Sequence, residues 1–413
     1  MRITRWLPWL LLLALAIAFL GVEFPRKGDL HIYLQAARDL LEGEQIYHNL
    51  YGDAKVFVYM GSPTLAFLLS GFSSLSFVAS AIIWKSLSLV LLGRIWFLLK
   101  DNLPWNTLDY QKKNWILLGT GLAASFLLYI EFHMVQFTIF ILFTSLEGLH
   151  QIRVRKSPLL GSVILGLGII SKILPIVMLP YLLYRGKWKA VCFTTIAVVA
   201  LALLPAIVLG WHETISLYSS WFDVINPTNS SNSLDVTTRT VHGIGALIST
   251  LCIPEIGNVE TLPIRRHLLS LHPELVQGIV VIVKLFLIVF TIRLLGIRGI
   301  FTDPENKLAR FWELSYILMI TPLIFPAQRS YAFLFILPAL VYLIYGFVKL
   351  GRTAKPWQLG LFVLSLITIN LDLIAGEFRE YFWHYKTLTY GVIALLIFLV
   401  WMTPSKLSEN KAA

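Results

Sequence analysis

The stretch Gly28-Asp29-Leu30-His31-Ile32-Tyr33-Leu34-Gln35-Ala36-Ala37-Arg38-Asp39-Leu40-Leu41-Glu42-Gly43 decides how this chain is read. At about 100° per residue, Leu30, Tyr33, Leu34, Ala37, Leu40 and Leu41 fall on one arc. His31, Gln35, Arg38, Asp39 and Glu42 fall on the opposite arc. The pattern predicts a short helix lying in a membrane surface and closed by Gly43. Asp29 sits in the first turn, where a carboxylate also caps a helix and complements its dipole. The apolar run from Trp6 to Val22 lies just before it, so Asp29 is expected where the chain leaves the bilayer. A carboxylate at that place suits chemistry on a lipid-linked substrate.

Composition supports a membrane reading. Of 413 residues, 57% are hydrophobic and only 14% charged, against about 25% charged in a soluble domain. Mean hydropathy is +0.74. The net charge of +11 is better explained by cytoplasmic Lys and Arg than by nucleic-acid binding. Cys192 and Cys252 lie in or beside apolar stretches without metal-ligand spacing, and leave the redox compartment open. The N-terminal run lacks a small-x-small cleavage site before Glu23 and reads as an uncleaved span. No stretch is polar and long enough to make a separate soluble domain, so residues 1–413 are expected to form a single integral membrane domain.

The loop charges set the topology. Arg2 and Arg5 place the N-terminus in the cytoplasm. The segment Val56 to Ser76 is apolar but interrupted by Gly61-Ser62-Pro63 and Gly71. If it crossed, the loops carrying Arg94, Lys112, Arg153, Arg155, Lys156, Arg185 and Lys189 would all become external, so it is read as non-spanning. Spans follow at Phe77 to Leu99, Trp115 to Ile130, Phe137 to His150, Pro158 to Ser171, Ile173 to Tyr184 and Ala190 to Leu209. Further spans are expected at Leu275 to Leu295, Phe311 to Phe325, Tyr331 to Val348, Leu359 to Ile374 and Leu388 to Met402. The expectation is an all-α polytopic membrane protein of about twelve spans with both ends cytoplasmic. External in-plane segments are expected over about 28–76 and 211–274. The short hairpin Pro158 to Tyr184 should hold Lys172 at its apex within the outer leaflet. No fixed repeat, GxGxxG after a strand, Walker A, HExxH or Cys/His zinc pattern is present.

This topology gathers polar residues on the outer side: Asp29, Tyr33, Tyr59, Glu131, His133, Gln136, Lys172, Asn232, Arg239, Gln328 and Arg329. Ionisable groups at membrane depth are costly and point to function. Blander roles compete: a helix cap for Asp29, snorkelling for Lys172, turn positions for Glu131 and His133, headgroup contact for Arg329, an interfacial belt for the tyrosines. Taken together, Lys172, Arg329 and Arg239 suit a lipid phosphate or pyrophosphate. Gln136, Asn232 and Gln328 suit sugar hydroxyls, and Asp29 suits a general base.

At these residues the sequence resembles the polytopic glycosyltransferases of family 87, the polyprenol-phosphate-mannose-dependent type with a GT-C fold. The opening pattern is carried by Asp29, Tyr33, Ala36-Ala37, Leu40-Leu41-Glu42-Gly43, Ile46-Tyr47, Tyr59 and Pro63. A second block is Gln136, the basic loop Arg153 to Lys156, then Gly161, Gly166, Gly168, Lys172 and Pro175. Asn229-Ser230-Ser231, or Asn232-Ser233, resembles the family's Asn-x-Ser after the long outer loop. Gly61-Ser62-Pro63 departs from a double proline, and Gln328-Arg329 stand where relatives carry histidine. The resemblance implies an inverting transferase that takes a hexose, mannose above all, from a polyprenyl-phosphate sugar. The acceptor would be a lipid or glycan on the outer face of the inner (plasma) membrane, and Asp29 the catalytic base. Tyr33, Tyr59, His133, Gln136, Lys172, Asn232, Arg239, Gln328 and Arg329 are then the expected substrate-binding residues. It requires no cofactor or metal, and the sequence offers no acidic cluster for one. A transporter or flippase of lipid-linked sugars is the alternative reading, and an assembly subunit a third.

Overall fold

The computed structural model describes residues 26, 28–52, 57–226, 234, 240–254, 262, 264–296, 301–304 and 306–409. The expected first span, Asp53, Asn229 to Ser231, Asn232 and Arg239 lie outside the described residues. What is described is almost entirely helical, with two short antiparallel strand pairs, Leu50–Tyr51 with Phe57–Val58 and Val241–His242 with Gln328–Arg329.

The quoted stretch forms the helix Gly28–Leu41. Gly43, with φ +79°, follows it and ends it in the left-handed conformation that glycine adopts without strain. Its apolar face is covered by the chain itself: Leu30, Ile32, Tyr33, Leu34, Ala36, Ala37 and Leu40 are buried, whereas Leu41 is exposed. Ile32 and Ala36 widen the arc beyond the one read from periodicity, because a second layer packs over this helix. That layer includes the Pro63–Leu69 helix, whose start is capped by Ser62 Oγ accepting from Leu65 N–H at 3.0 Å. The amphipathic Trp211–Ile225 helix is tied to the same region. Tyr218 Oη lies 2.6 Å from Thr64 Oγ1, Gln45 Nε2 donates to Glu213 Oε1 at 2.9 Å, and Trp221 Nε1 donates to Met60 O at 3.2 Å.

Among the described residues five helices are long and apolar enough to cross a membrane: Phe77–Asp101, Trp188–Leu209, Pro273–Leu295, Ser330–Leu350 and Pro356–Ile374. The count is seven if the bent pairs Tyr110–Ala123 with Ser125–His133 (51°) and Gly376–His384 with Thr387–Trp401 (72°) each make one span. By length and composition, then, the described residues give fewer than the twelve spans expected from the sequence. The expected first span is outside the described residues, Pro158–Ser171 and Leu174–Tyr184 are apolar but short, and the rest of the difference lies in helices sealed inside the bundle. Thr138–Arg153 has 16 residues and buries Glu147 and Arg153, and Lys307–Ile324 buries Glu313. Such helices meet protein rather than lipid and need neither full apolar length nor freedom from charge.

Glycine spacing packs the centre. A Cβ on Gly161 would sit 2.6 Å from Gly148 O of the Thr138–Arg153 helix, so these two backbones touch. Gly166 presents the opposite approach to Ala197 of the Trp188–Ala202 helix. The Pro158–Ser171 helix is thereby clamped between two neighbours. Its 14 residues rise about 21 Å, short of a hydrocarbon core about 30 Å thick. At one end Arg153 pairs with Asp303 and donates to Tyr181 Oη at 2.8 Å, and Arg185 pairs with Glu313. At the other end the helix stops at Lys172, where the backbone turns extended (φ −154°, ψ 127°) before the 3-10 turn Leu174–Val177.

Candidate active site

Asp29 is placed by its neighbours on both sides. Gly28 has φ +48°, and a Cβ there would stand 2.5 Å from Met134 O, so only glycine admits this approach. The approach lets Asp29 N–H donate to Met134 O at 2.8 Å. Met134 belongs to a tight turn between Ser125–His133 and Thr138–Arg153, in which Val135 takes φ +47° and Gln136 N–H donates to Glu131 O at 3.0 Å. Trp84 Nε1 donates to Gln136 O at 3.0 Å and locks the turn from the Phe77–Asp101 helix. Held this way, the Gln136 amide donates to the Asp29 carboxylate through Nε2. Gln136 is 2% exposed. Its Nε2 donor is turned onto Asp29.

Burial pushes the Asp29 carboxyl above its ordinary value of 3.8. Arg329, the Gln136 hydrogen bond and Lys172 pull in the other direction without cancelling the effect. Asp29 thus lies within electrostatic reach of two cations that come from distant parts of the chain.

Those cations share a cavity of about 100 Å³ with Tyr33, Gln328, Tyr331 and Trp221. Lys172 Nζ stands 4.8 Å from the centroid of the Tyr331 ring, a cation–π contact that orients it. Arg329 is held in register by pairing with Val241, as Gln328 is by pairing with His242. Ala327, at φ +51°, turns the chain into this strand, and Gln328 Nε2 donates to Pro326 O at 2.7 Å. Tyr33 packs between Phe137 at 4.6 Å and Tyr59 at 5.5 Å between ring centroids. Tyr59 stands behind it, 1% exposed, with its hydroxyl donating to Ser62 O at 2.9 Å. Tyr59 therefore supports Tyr33 instead of facing the cavity.

His133 opens onto a second cavity, of about 230 Å³, on the far side of Arg329 and Tyr331, which line both. Its Nε2 lies 2.9 Å from Arg26 and its ring stacks on Tyr129 at 5.0 Å. Glu131 is buried and accepts Ile139 N–H at 2.9 Å through Oε1. Among the described residues no group of three or more His, Cys, Asp or Glu side chains is placed to hold a metal ion. Periodicity and charge did not single out Tyr331, Trp84 or Met134. The first two are aromatic in apolar runs, indistinguishable there from an interfacial belt, and Met134 acts through its backbone carbonyl.

A family model described as glycosyltransferase family 87 matches residues 57–326, well over half of the chain. The matched range includes Tyr59, His133, Gln136 and Lys172. Asp29 and Tyr33 precede it, and Gln328 and Arg329 follow directly after it. No curated protein and no solved structure matches the chain.

Proposed function

The chain belongs to glycosyltransferase family 87 and is a multi-pass membrane glycosyltransferase, and from that premise we propose that it moves a hexose, mannose in the first instance, from a polyprenyl phosphate to a lipid or glycan acceptor with inversion. The observation that carries this reading is that the buried Asp29 carboxylate lies within electrostatic reach of Lys172 and Arg329, the two cations that line one cavity. A carboxylate and two cations suit such a transfer, the carboxylate for the acceptor's proton and the cations for the charge that grows on the leaving phosphate.

In the step proposed, the acceptor oxygen attacks the anomeric carbon and forms the new C–O bond. The bond from that carbon to the phosphate oxygen breaks, and its electron pair leaves with the polyprenyl phosphate. Asp29 takes the acceptor's proton. Lys172 and Arg329 hold the phosphate and stabilise its growing charge. Gln136 keeps the Asp29 carboxylate oriented, and Tyr33 and Gln328 line the sugar's place. Arg239 and Asn232 join the substrate-binding set as first expected. An apolar cavity of about 490 Å³, lined among others by Val177, Pro180, Ile288, Ile292, Ile320 and Ile324, supports a polyprenyl tail. It lies beside the polar cavity in the chain, because Leu174 and Phe325 line one where Val177 and Ile324 line the other.

The proposal extends to architecture: a GT-C-type fold of about twelve spans in the inner (plasma) membrane, with residues 28–76 and 211–274 on its outer face. The cation distribution supports that orientation, since Arg153, Arg155, Lys156, Arg185, Lys187 and Lys189 flank the base of the Pro158 to Tyr184 hairpin and Lys172 alone stands at its apex. The test uses proteoliposomes given radiolabelled polyprenyl-phosphate mannose and a membrane lipid extract. Label in a new lipid or glycan product supports transfer. Donor recovered intact from the opposite leaflet, with no new product, would replace transfer by flipping.

A further inference from the structure

The second cavity is not used by the chemistry above, and its walls are built differently from the first. Its volume is about 230 Å³, against about 100 Å³ for the cavity holding Lys172. One wall is the Ser125–His133 helix, carrying Tyr129 and His133. The other comes from the chain's last third, Asp372 at the end of Pro356–Ile374 with Arg379 and Trp383 of the Arg379–His384 helix. Arg329 closes the side shared with the first cavity.

The two walls are pinned to each other. The Tyr110–Ala123 and Ser125–His133 helices break at Ala124, which frees backbone groups that a continuous helix would pair. Asn370 takes them up. Its Oδ1 accepts Phe126 N–H and Ser125 Oγ–H, each at 2.9 Å, and its Nδ2 donates to Ala123 O at 3.1 Å. Asn370 and Asp372 belong to one helix end, so the bond that stabilises the break also sets Asp372 across from Tyr129 and His133. Trp383 Nε1 donates to Asp372 Oδ2 at 2.6 Å, and the Arg379 guanidinium lies 5.4 Å from the Trp383 ring centroid.

We propose that this cavity is the subsite for the acceptor's sugar ring, with Asp372 and Arg379 binding its hydroxyls and Trp383 and Tyr129 lining it with aromatic surface; the inference rests on the transferase reading above. The chemistry is that of a hydroxyl-rich, amphipathic ligand. A carboxylate accepts from sugar hydroxyls and a guanidinium donates to them, while aromatic faces cover the apolar C–H side of the ring. The position fits the reaction as well. In an inverting displacement the nucleophile enters opposite the leaving group. Lys172, for the phosphate, lines only the first cavity, and Asp29 is bonded through its N–H to Met134, which lines the second. Asp29 itself lines neither cavity: its carboxylate is within electrostatic reach of Lys172 at the first, and its backbone is bonded to the turn that lines the second.

The test measures binding without catalysis. Protein in nanodiscs is titrated with methyl glucoside, methyl mannoside, methyl galactoside and inorganic phosphate, following tryptophan fluorescence, and separately with polyprenyl monophosphate. At least one methyl hexoside is expected to give a saturable signal. Asp372→Asn, which retains an acceptor for the Trp383 indole, and Arg379→Gln should each weaken it tenfold or more, and Trp383→Phe should abolish the signal. Lys172→Gln should leave hexoside binding unchanged and weaken polyprenyl monophosphate instead. No saturable hexoside binding, binding indifferent to Asp372→Asn, or binding of inorganic phosphate alone would overturn the subsite. Failure of wild-type protein to bind polyprenyl monophosphate would count against the donor reading and leave the hexoside result to be judged separately.

Discussion

Replacing Gly28 by alanine moves Asp29 without altering its carboxylate. Gly28 holds φ +48°, in a region that costs a residue with a Cβ about 1–2 kcal/mol. The new Cβ would also lie 2.5 Å from Met134 O and 2.6 Å from Met134 C, both backbone atoms that cannot swing aside. Relief requires the helix start to retreat from the turn, which breaks the 2.8 Å bond from Asp29 N–H to Met134 O and costs about 0.5–1.5 kcal/mol more. Gly43→Ala is the matched control. Gly43 also has positive φ, +79°, but nothing lies within 4 Å of its Cβ position. The control should lose about 1–2 kcal/mol of stability and keep wild-type turnover. Gly28→Ala should lose about 1.5–3.5 kcal/mol and about a hundredfold in turnover, the size of penalty that displacing a catalytic group by about an ångström can carry. Thermal unfolding and transfer at saturating donor, measured on both variants in one detergent, supply the comparison. Equal turnover of the two variants would refute the idea that the Met134 contact places the carboxylate.

Other consequences are equally open to measurement. Because burial holds the Asp29 carboxyl above 3.8, transfer should fall as pH drops through a value above the ordinary carboxylate range, since a base must be ionised. Lys172 and Arg329 both oppose that rise, so Lys172→Gln and Arg329→Gln should move the acid limb of kcat/KM to higher pH. Lys172→Gln should also weaken polyprenyl phosphate binding by about ten- to a hundredfold, the worth of about 1.5–3 kcal/mol for a hydrogen bond to a charged group, as read by equilibrium titration. Asn370→Leu strands the backbone groups at the break after Ala123 and should cost about 1–3 kcal/mol, seen as a lower thermal midpoint.

The sequence carried the local parts of this account. Asp29, the helix around it and its closure at Gly43 follow from short-range periodicity and turn chemistry, and so do the ends of Phe77–Asp101, Pro158–Ser171 and Pro273–Leu295. Lys172 was recognisable because a lysine between two short apolar helices has nowhere to put its charge cheaply. What remained hidden depends on contacts between residues far apart. The hydrogen bond from Gln136 to Asp29 spans 107 residues of sequence, and no local pattern reports it. Tyr331 gained meaning from Lys172 above its ring, and Asp372 from Trp383 and from its neighbour Asn370, which bonds to a helix break 247 residues away. The span count diverged for the same reason. A helix such as Lys307–Ile324, carrying Arg310 and Glu313, takes its environment from its neighbours, which hydropathy along one segment does not report.

The ion pairs at the far end of the hairpin give the site a fixed base. Arg153, Lys187 and Asp303 join there, with Lys187 Nζ 3.3 Å from Asp303 Oδ2, and Tyr181 Oη donates to Glu313 Oε2 at 3.0 Å. Buried pairs of this kind contribute little net stability, but removing one partner leaves an uncompensated charge. They tie the end of the hairpin opposite Lys172 to the residues around Asp303 and Glu313.

The most direct measurement compares wild type with Asp29→Asn in lipid, given radiolabelled polyprenyl-phosphate mannose and a membrane lipid extract. The substitution keeps the backbone bond to Met134 and the size of the side chain. The folded-state pKa of Asp29 is raised, so ionised Asp29 favours folding less above that pKa; the variant should match or exceed wild type in thermal stability at neutral pH. The account predicts a labelled product from wild type and none from the variant, with both folded. Equal transfer by the two would contradict it and remove Asp29 from the centre of the reaction.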